Sequence, residues 1–256
     1  MDGVETFRST TNQLLSRLSG QEWWRLKPLL RREDLPARLY LERAGSPPSK
    51  VYFIEAGVLS NLERGDVRDP IEVGVIGREG MVGMSTIAGL IPQRDTVVQI
   101  AGQALVLGCL QFRECLSSAP NLRSLLFRYI QAQLVQISLM ASAGVRASVQ
   151  QRLARKLLMY HDRTGTNEMP LTHENMSLML GVRRASITHA VHNLAAESLI
   201  QARRGLIAIR DRSGLERYCG GFYGVAEARY AEIMGDLPDD ASRQSDEPVA
   251  SPMLEA

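Results

Sequence analysis

Three cysteines, 5% aromatic residues and no histidine before residue 161 leave this 256-residue chain few means of doing chemistry. Cys109, Cys115 and Cys219 make no disulfide framework and show no metal-ligand spacing, so they read as ordinary thiols. No metal and no cofactor is expected. A nucleophile with its base, paired carboxylates or a clustered ligand set would signal an enzyme, and no such motif is present. The start, MDGVETFRST, lacks the apolar core of a signal peptide. The longest uncharged run, Tyr129 to Val145, is too short to span a membrane and carries three Gln and two Ser. A cytoplasmic chain with no membrane partner is the expectation.

What is present is an uneven charge distribution. The chain is 45% hydrophobic and 23% charged, ordinary for a globular protein, with a net charge of only +2. From Arg146 to Arg210, however, ten Arg/Lys stand against four Asp/Glu, a local +6, and all four histidines fall there. From Asp211 to Ala256 four basic residues face ten acidic ones, a local −6. Such a basic block is the footprint of phosphate contact, although a solvated face can look the same.

Leu171 to Arg210 gives that block a shape. Thr172 is a candidate N-cap for a helix starting at His173. Met176, Met179 and Leu180 form its buried stripe. Ser177 is small where a second helix crosses, Gly181 sits where the turn needs positive φ, and Val182 plugs the corner. Ile187, Val191 and Leu194 give the second helix its apolar stripe, leaving Arg183, Arg184, Ser186 and His189 opposite. Leu199 to Ile209 then reads as a hairpin with Arg203 and Arg204 at its tip. Two short helices and a basic wing are how a protein offers one helix to the major groove. A plain helical hairpin with a solvated basic face is the alternative.

The rest of the chain reads as an α+β protein. Short helices are expected before residue 36. Six short strands follow, Arg38–Arg43, Val51–Ile54, Val58–Leu62, Ile71–Ile76, Val97–Ile100 and Ala104–Leu110, with glycines at the turns. Trp23 and Trp24 are adjacent, so one helix face cannot bury both. After Pro120 a long helix carries Phe127, Ile130, Leu134, Ile137 and Ala141 at alternating spacings of three and four, which suits a seam between two chains. Packing of that stripe on its own β unit is the competing reading. Ser148 to Tyr160 begins the C-terminal domain, and helices over 215–218 and 225–234 are expected to pack back onto the protein.

Four segments in this order resemble the Crp/Fnr family of bacterial transcription regulators. They are Val51–Val58, Gly77–Gly83, Arg152–Leu158 and Leu171–Arg184. The resemblance implies a cyclic-nucleotide-binding-type β-roll (a double-stranded β-helix) over 12–118 and a dimerisation helix over 119–145. It further implies a winged helix-turn-helix over 146–214, followed by a helical extension over 215–236; the tail 237–256 reads as disordered. Its partners would be double-stranded DNA, a second copy of the chain and, for an activator, RNA polymerase.

Carried over position by position, the resemblance makes Arg184 the reader of guanine and Thr172 a phosphate contact; Arg203 and Arg204, at the tip of the basic hairpin, are the other expected phosphate contacts. Ser186 and His189 join Arg184 at the base edges, and Arg183 is an extra basic residue able to touch a phosphate or a base edge. Ala185 stands where many members carry a glutamate, and His189 where a second arginine is common. The effector pocket would involve Gly83, Met84, Arg94 and Asp95 of the roll with Ile137 and Ser138 of the long helix. Met84 cannot accept from ribose hydroxyls, and Asp95 would set a like charge beside a phosphate. Cyclic AMP is therefore not the expected effector, and no other is readable. Heme and iron–sulfur centres are equally unsupported, for want of a histidine in the roll and of clustered cysteines near the N-terminus. A protein-binding adaptor that kept the winged helix is the alternative function.

Overall fold

The computed structural model describes residues 10–64 and 70–235; the predicted disordered tail lies outside them. Asn12 organises the start. Its Oδ1 accepts from Leu14 N and Leu15 N at 3.1 Å, capping α1 (Gln13–Ser16). Its Nδ2 donates to Ile54 O and Gly80 O at 2.8 Å, sewing the helix to the sheet. In α2 (Gly20–Leu26) Trp23 is buried and Trp24 is 56% exposed, as adjacency on a helix demands.

A six-stranded antiparallel sheet follows, with the path β1-β6-β3-β4 and with β2 and β5 attached to β6 and β3. Its strands are β1 (Arg31–Leu35), β2 (Tyr40–Glu42), β3 (Lys50–Glu63), β4 (Ile71–Ile76), β5 (Met81–Val82) and, after the short helix α3 (Met84–Ile87), β6 (Asp95–Gly108). Two features of this sheet differ from what the sequence suggests. First, Arg31–Leu35 is a strand, not part of the opening helices. Its charged residues pair along β6, and Lys50 and Glu33 (2.7 Å) and Arg32 and Glu55 (2.7 Å) compensate one another, so pairing overrides propensity. Second, Gly57 and Gly102 are not turns. They sit at facing bends of two continuous strands whose register shifts there. A Cβ on Gly102 would lie 1.9 Å from Ala56 O, and one on Gly57 (φ +96°) 2.7 Å from Ile100 O. Only glycine lets these two backbones touch.

After α4 (Cys109–Ser117) comes the long helix α5 (Pro120–Arg146), about 40 Å at 1.5 Å per residue. Pro120 occupies its first turn, and the buried Glu22 carboxylate accepts from Asn121 N and Leu122 N. One face of α5 packs on the roll through Leu122, Leu125, Leu126, Tyr129 and Ala132, in a core shared with Leu14, Trp23, Phe53 and Phe112. The stripe singled out for a seam is the other face: Phe127 is 58% and Leu134 53% exposed, Ala141 is exposed, and Ile130 and Ile137 are half-buried.

The C-terminal domain comprises α6 (Val149–Thr164), β7 (Glu168–Met169), α7 (His173–Leu180), α8 (Arg184–Ala196), β8 (Ile200–Arg203), β9 (Leu206–Ile209) and α9 (Arg212–Tyr218). A capping box opens α6: Ser148 Oγ accepts from Gln151 N, and Gln151 Oε1 accepts from Ser148 N. Leu153, Leu157 and Leu158 of α6 share one core with Ile187, Val191 and Leu194 of α8 and Leu215 of α9. Val58 and Val75 of the roll enter the same cluster, so the two domains are packed together. Polar contacts reinforce that junction: Lys156 pairs with Glu72, and Arg163 with Glu79 (2.7 Å). Finally α10 (Val225–Ile233) returns to α5; Tyr230 OH donates to Glu79 O at 2.6 Å, and Met234 is buried in the roll's core.

Candidate nucleic-acid interface

Each feature of the α7–turn–α8 unit has a local cause. Thr172 caps α7: its Oγ1 accepts from Asn175 N at 3.1 Å, and Asn175 Oδ1 in turn accepts from Thr172 N. Gly181 closes the helix at φ +60°, the left-handed conformation its position requires. Ser177 Oγ donates to Val182 O across the corner. Met176, Met179 and Leu180 are buried from α7, and Ile187, Ala190, Val191 and Leu194 from α8. With that face consumed by packing, Arg183, Arg184, Ala185, Thr188, His189 and His192 lie exposed on the other, and Ser186 is half-buried.

Arg183 is the N-cap of α8 and makes no capping bond with its side chain. Neither Arg183 nor Arg184 has an ion pair or side-chain hydrogen bond among the described residues. Thr188, absent from the sequence-derived set, stands one turn after Arg184. Its hydroxyl donates to Arg184 O at 3.1 Å and lies 3.0 Å from His173 Nδ1. The helical spacing from Arg184 would have pointed to it. His189 Nε2 lies 3.3 Å from Asn193 Nδ2.

The wing pairs Arg203 with Leu206 across the Arg204–Gly205 turn, and β7 adds a third strand that the two-stranded reading lacked. Arg203 and Arg204 are exposed at its tip. Gly205 lies beside the start of α7: a Cβ there would sit 3.9 Å from Thr172 Cγ2, at ordinary van der Waals distance. The fold thus brings the wing tip and the α7 N-terminus, two segments chosen for phosphate contact, to one edge of the domain.

Residues 151–218 match the family model of the Crp-like helix-turn-helix domain. The C-terminal domain is of the Crp type. No curated protein matches the chain. Among solved structures, a Crp/Fnr-family chain from Eubacterium rectale is similar with a TM-score of 0.65 at 16% identity, covering 82% of this chain and 99% of that one. The c-di-GMP-responsive regulator CLP of Xanthomonas campestris is similar at 0.62 and 16% (75% and 99% covered). A Crp-family transcriptional regulator from Thermus thermophilus is similar at 0.63 and 18% (74% and 97%). The described residues therefore have the fold of the Crp/Fnr regulators: a β-roll, a long helix and a Crp-type winged helix.

In this Crp/Fnr frame the pocket residues separate into two groups. A cleft of about 310 Å³ between the roll and α5 is lined by Gly83, Met84, Arg94 and Ile137, together with Glu42 and Gln133. Asp95 and Ser138 do not line it. Asp95 is buried facing elsewhere, where its carboxylate accepts from Ala44 N at 2.9 Å and pairs with Arg64 at 2.6 Å. Ser138 Oγ donates to Leu134 O on exposed helix surface. The carboxylate at the cleft is Glu42 instead. Burial raises its pKa, against bonds from Thr96 and Ser85 that favour the charged form. Gln133 Oε1 is buried there with no partner among the described residues. Those residues include no helix long and apolar enough to cross a membrane and no group of three metal-ligating side chains.

Proposed function

We propose that the chain is a sequence-specific, DNA-binding transcription regulator that works as a homodimer in the cytoplasm. The observation that carries this reading is the open face of α8. Arg183, Arg184 and His189 are exposed there without a carboxylate partner, and Arg203 and Arg204 project from the adjacent wing. Arg184 reads a guanine through O6 and N7, with Arg183, Ser186 and His189 beside it. Thr172, Arg203 and Arg204 hold phosphates and set the register.

The stripe Phe127, Ile130, Leu134, Ile137 and Ala141, with Phe127, Leu134 and Ala141 exposed and the two isoleucines half-buried, supports pairing of two long helices, since a lone helix seldom leaves such residues in water. Segment 12–118 then serves as sensor, 119–145 as dimerisation helix and 146–214 as reader, with 215–236 folded back as an extension. Two recognition helices in successive major grooves, about 34 Å apart, require a near-palindromic operator. An activator of this form would also touch RNA polymerase.

Cyclic AMP is not the effector in this reading. Met84 offers no acceptor to the ribose hydroxyls, and Glu42 adds a carboxylate to the cleft that Arg94 lines, a like charge for an incoming phosphate. Saturable micromolar binding of a cyclic nucleotide in a calorimeter would overturn this part. The whole reading is tested by selecting bound duplexes from a random pool. Enrichment of a two-fold symmetric sequence with half-sites one helical turn apart is expected. A protein-binding adaptor would enrich no sequence at all.

A further inference from the structure

We infer that the roll itself grips DNA, through a phosphate contact made by Arg38. The inference rests on the DNA-binding reading above and extends it to a residue outside the winged helix. A cleft of about 800 Å³ separates the roll from α7 and the start of α8. Arg38, Tyr40 and Gln99 line it from the roll, and Asn175, Arg183 and Arg184 from the winged helix. Glu174 is the one carboxylate among its lining residues. Arg38, like Arg183 and Arg184, has no ion pair or side-chain hydrogen bond among the described residues. Three arginines without an ion pair among the described residues, from two domains, thus line one cleft at the start of the recognition helix.

The backbone at Arg38 gives a second, independent reason. Its φ is +71°, the left-handed region where glycine is at ease and a long L side chain is disfavoured. The fold holds the residue there from both sides: Arg38 N donates to Val98 O at 2.8 Å, and Val98 N to Leu39 O at 2.9 Å. A turn that glycine would fill without strain carries an exposed arginine rooted at the cleft. Outliers of this kind cluster at binding sites.

The shape of a duplex supplies the ligand. A helix lying in the major groove, about 12 Å wide, is flanked on each side by a sugar-phosphate backbone. The strand that passes the N-terminal end of α8 runs by the mouth of this cleft. A guanidinium there can take two phosphate oxygens with parallel N–H donors. The contact reads no base, so it adds affinity and salt dependence without adding specificity.

The test uses the full chain and a duplex of mixed sequence, with binding followed by fluorescence anisotropy across a salt series. Replacing Arg38→Gly should make the slope of log affinity against log salt shallower by about 0.9 per chain. The loss should be equal on every sequence, and Arg38→Lys should restore most of the slope. The melting temperature of R38G should not fall, because glycine relieves the left-handed backbone. Should R38G nevertheless unfold, Arg38→Gln reports the same slope with the side chain's bulk retained. An unchanged slope in both R38G and R38Q, beside an Arg203→Ala variant that does lose slope, overturns the Arg38 contact and leaves the winged-helix reading standing. Absence of DNA binding by the unaltered chain overturns both.

Discussion

Lys156 of α6 and Glu72 of β4 form an ion pair in which the side chains are only 3% and 0% exposed. Tyr160 OH donates to the same carboxylate at 2.9 Å, as does Ser60 Oγ. One buried carboxylate thus collects three donors from both domains and fixes the first helix of the winged domain to the roll. Burial pulls the Lys156 pKa down, while Glu72 opposes the shift.

Breaking this pair from one side should be costly. Glu72→Ala leaves the Lys156 amine in the interior without its partner, a loss of about 3–5 kcal/mol. Replacing both residues, Glu72→Leu with Lys156→Met, removes the charges together and should recover most of that loss. Urea unfolding of the three chains checks this ordering.

The α5 stripe gives a prediction on assembly. Each buried Leu or Phe contributes about 1.5–3 kcal/mol, counted twice in a symmetric pair. Leu134→Glu should therefore weaken the dimer about a hundredfold or more. Sedimentation velocity should show the unaltered chain as a dimer and the variant as a monomer with an unchanged circular dichroism spectrum. A change at Ser142, exposed on the same helix about 100° round from Ala141 and so off the stripe, should leave the dimer intact.

Cys219 is fully buried, and burial pushes its thiol up to about 12. Because the folded value lies above the ordinary value near 9, its contribution to stability is complete below about pH 9 and is lost as pH rises through about 12. At about pH 8 an alkylating reagent should reach Cys109 and Cys115, which are half-buried, and spare Cys219 until denaturant is added. Intact-mass measurement before and after unfolding counts the labels.

The parts legible in the sequence are those fixed by local spacing. Gly181, the two apolar stripes of α7 and α8 and the exposed stripe of α5 follow from helical periodicity and one backbone demand. What stayed hidden depends on residues distant in the chain. Gly57 and Gly102 look like turns until the two strands are laid against each other. Arg31–Leu35 looks unlike a strand because pairing with β6, and not its own composition, makes it one. Asp95 looks like a pocket residue until Arg64 and Ala44 N claim it, and Glu42 takes the place at the cleft from another strand. Arg38 shows nothing in sequence; its positive φ and its neighbours across the cleft exist only in the fold.

Whether α8 reads a specific sequence through Arg184 is tested by one competition experiment. Affinity for the selected duplex and for mixed-sequence DNA is measured at one salt concentration for the unaltered chain and for Arg184→Ala. Loss of a bidentate guanine contact is worth about 1–3 kcal/mol, roughly five- to 150-fold, on the selected duplex alone. A reader of guanine at Arg184 makes this loss collapse the ratio between the two affinities. An equal fall on both duplexes would make Arg184 a phosphate contact and contradict the claim.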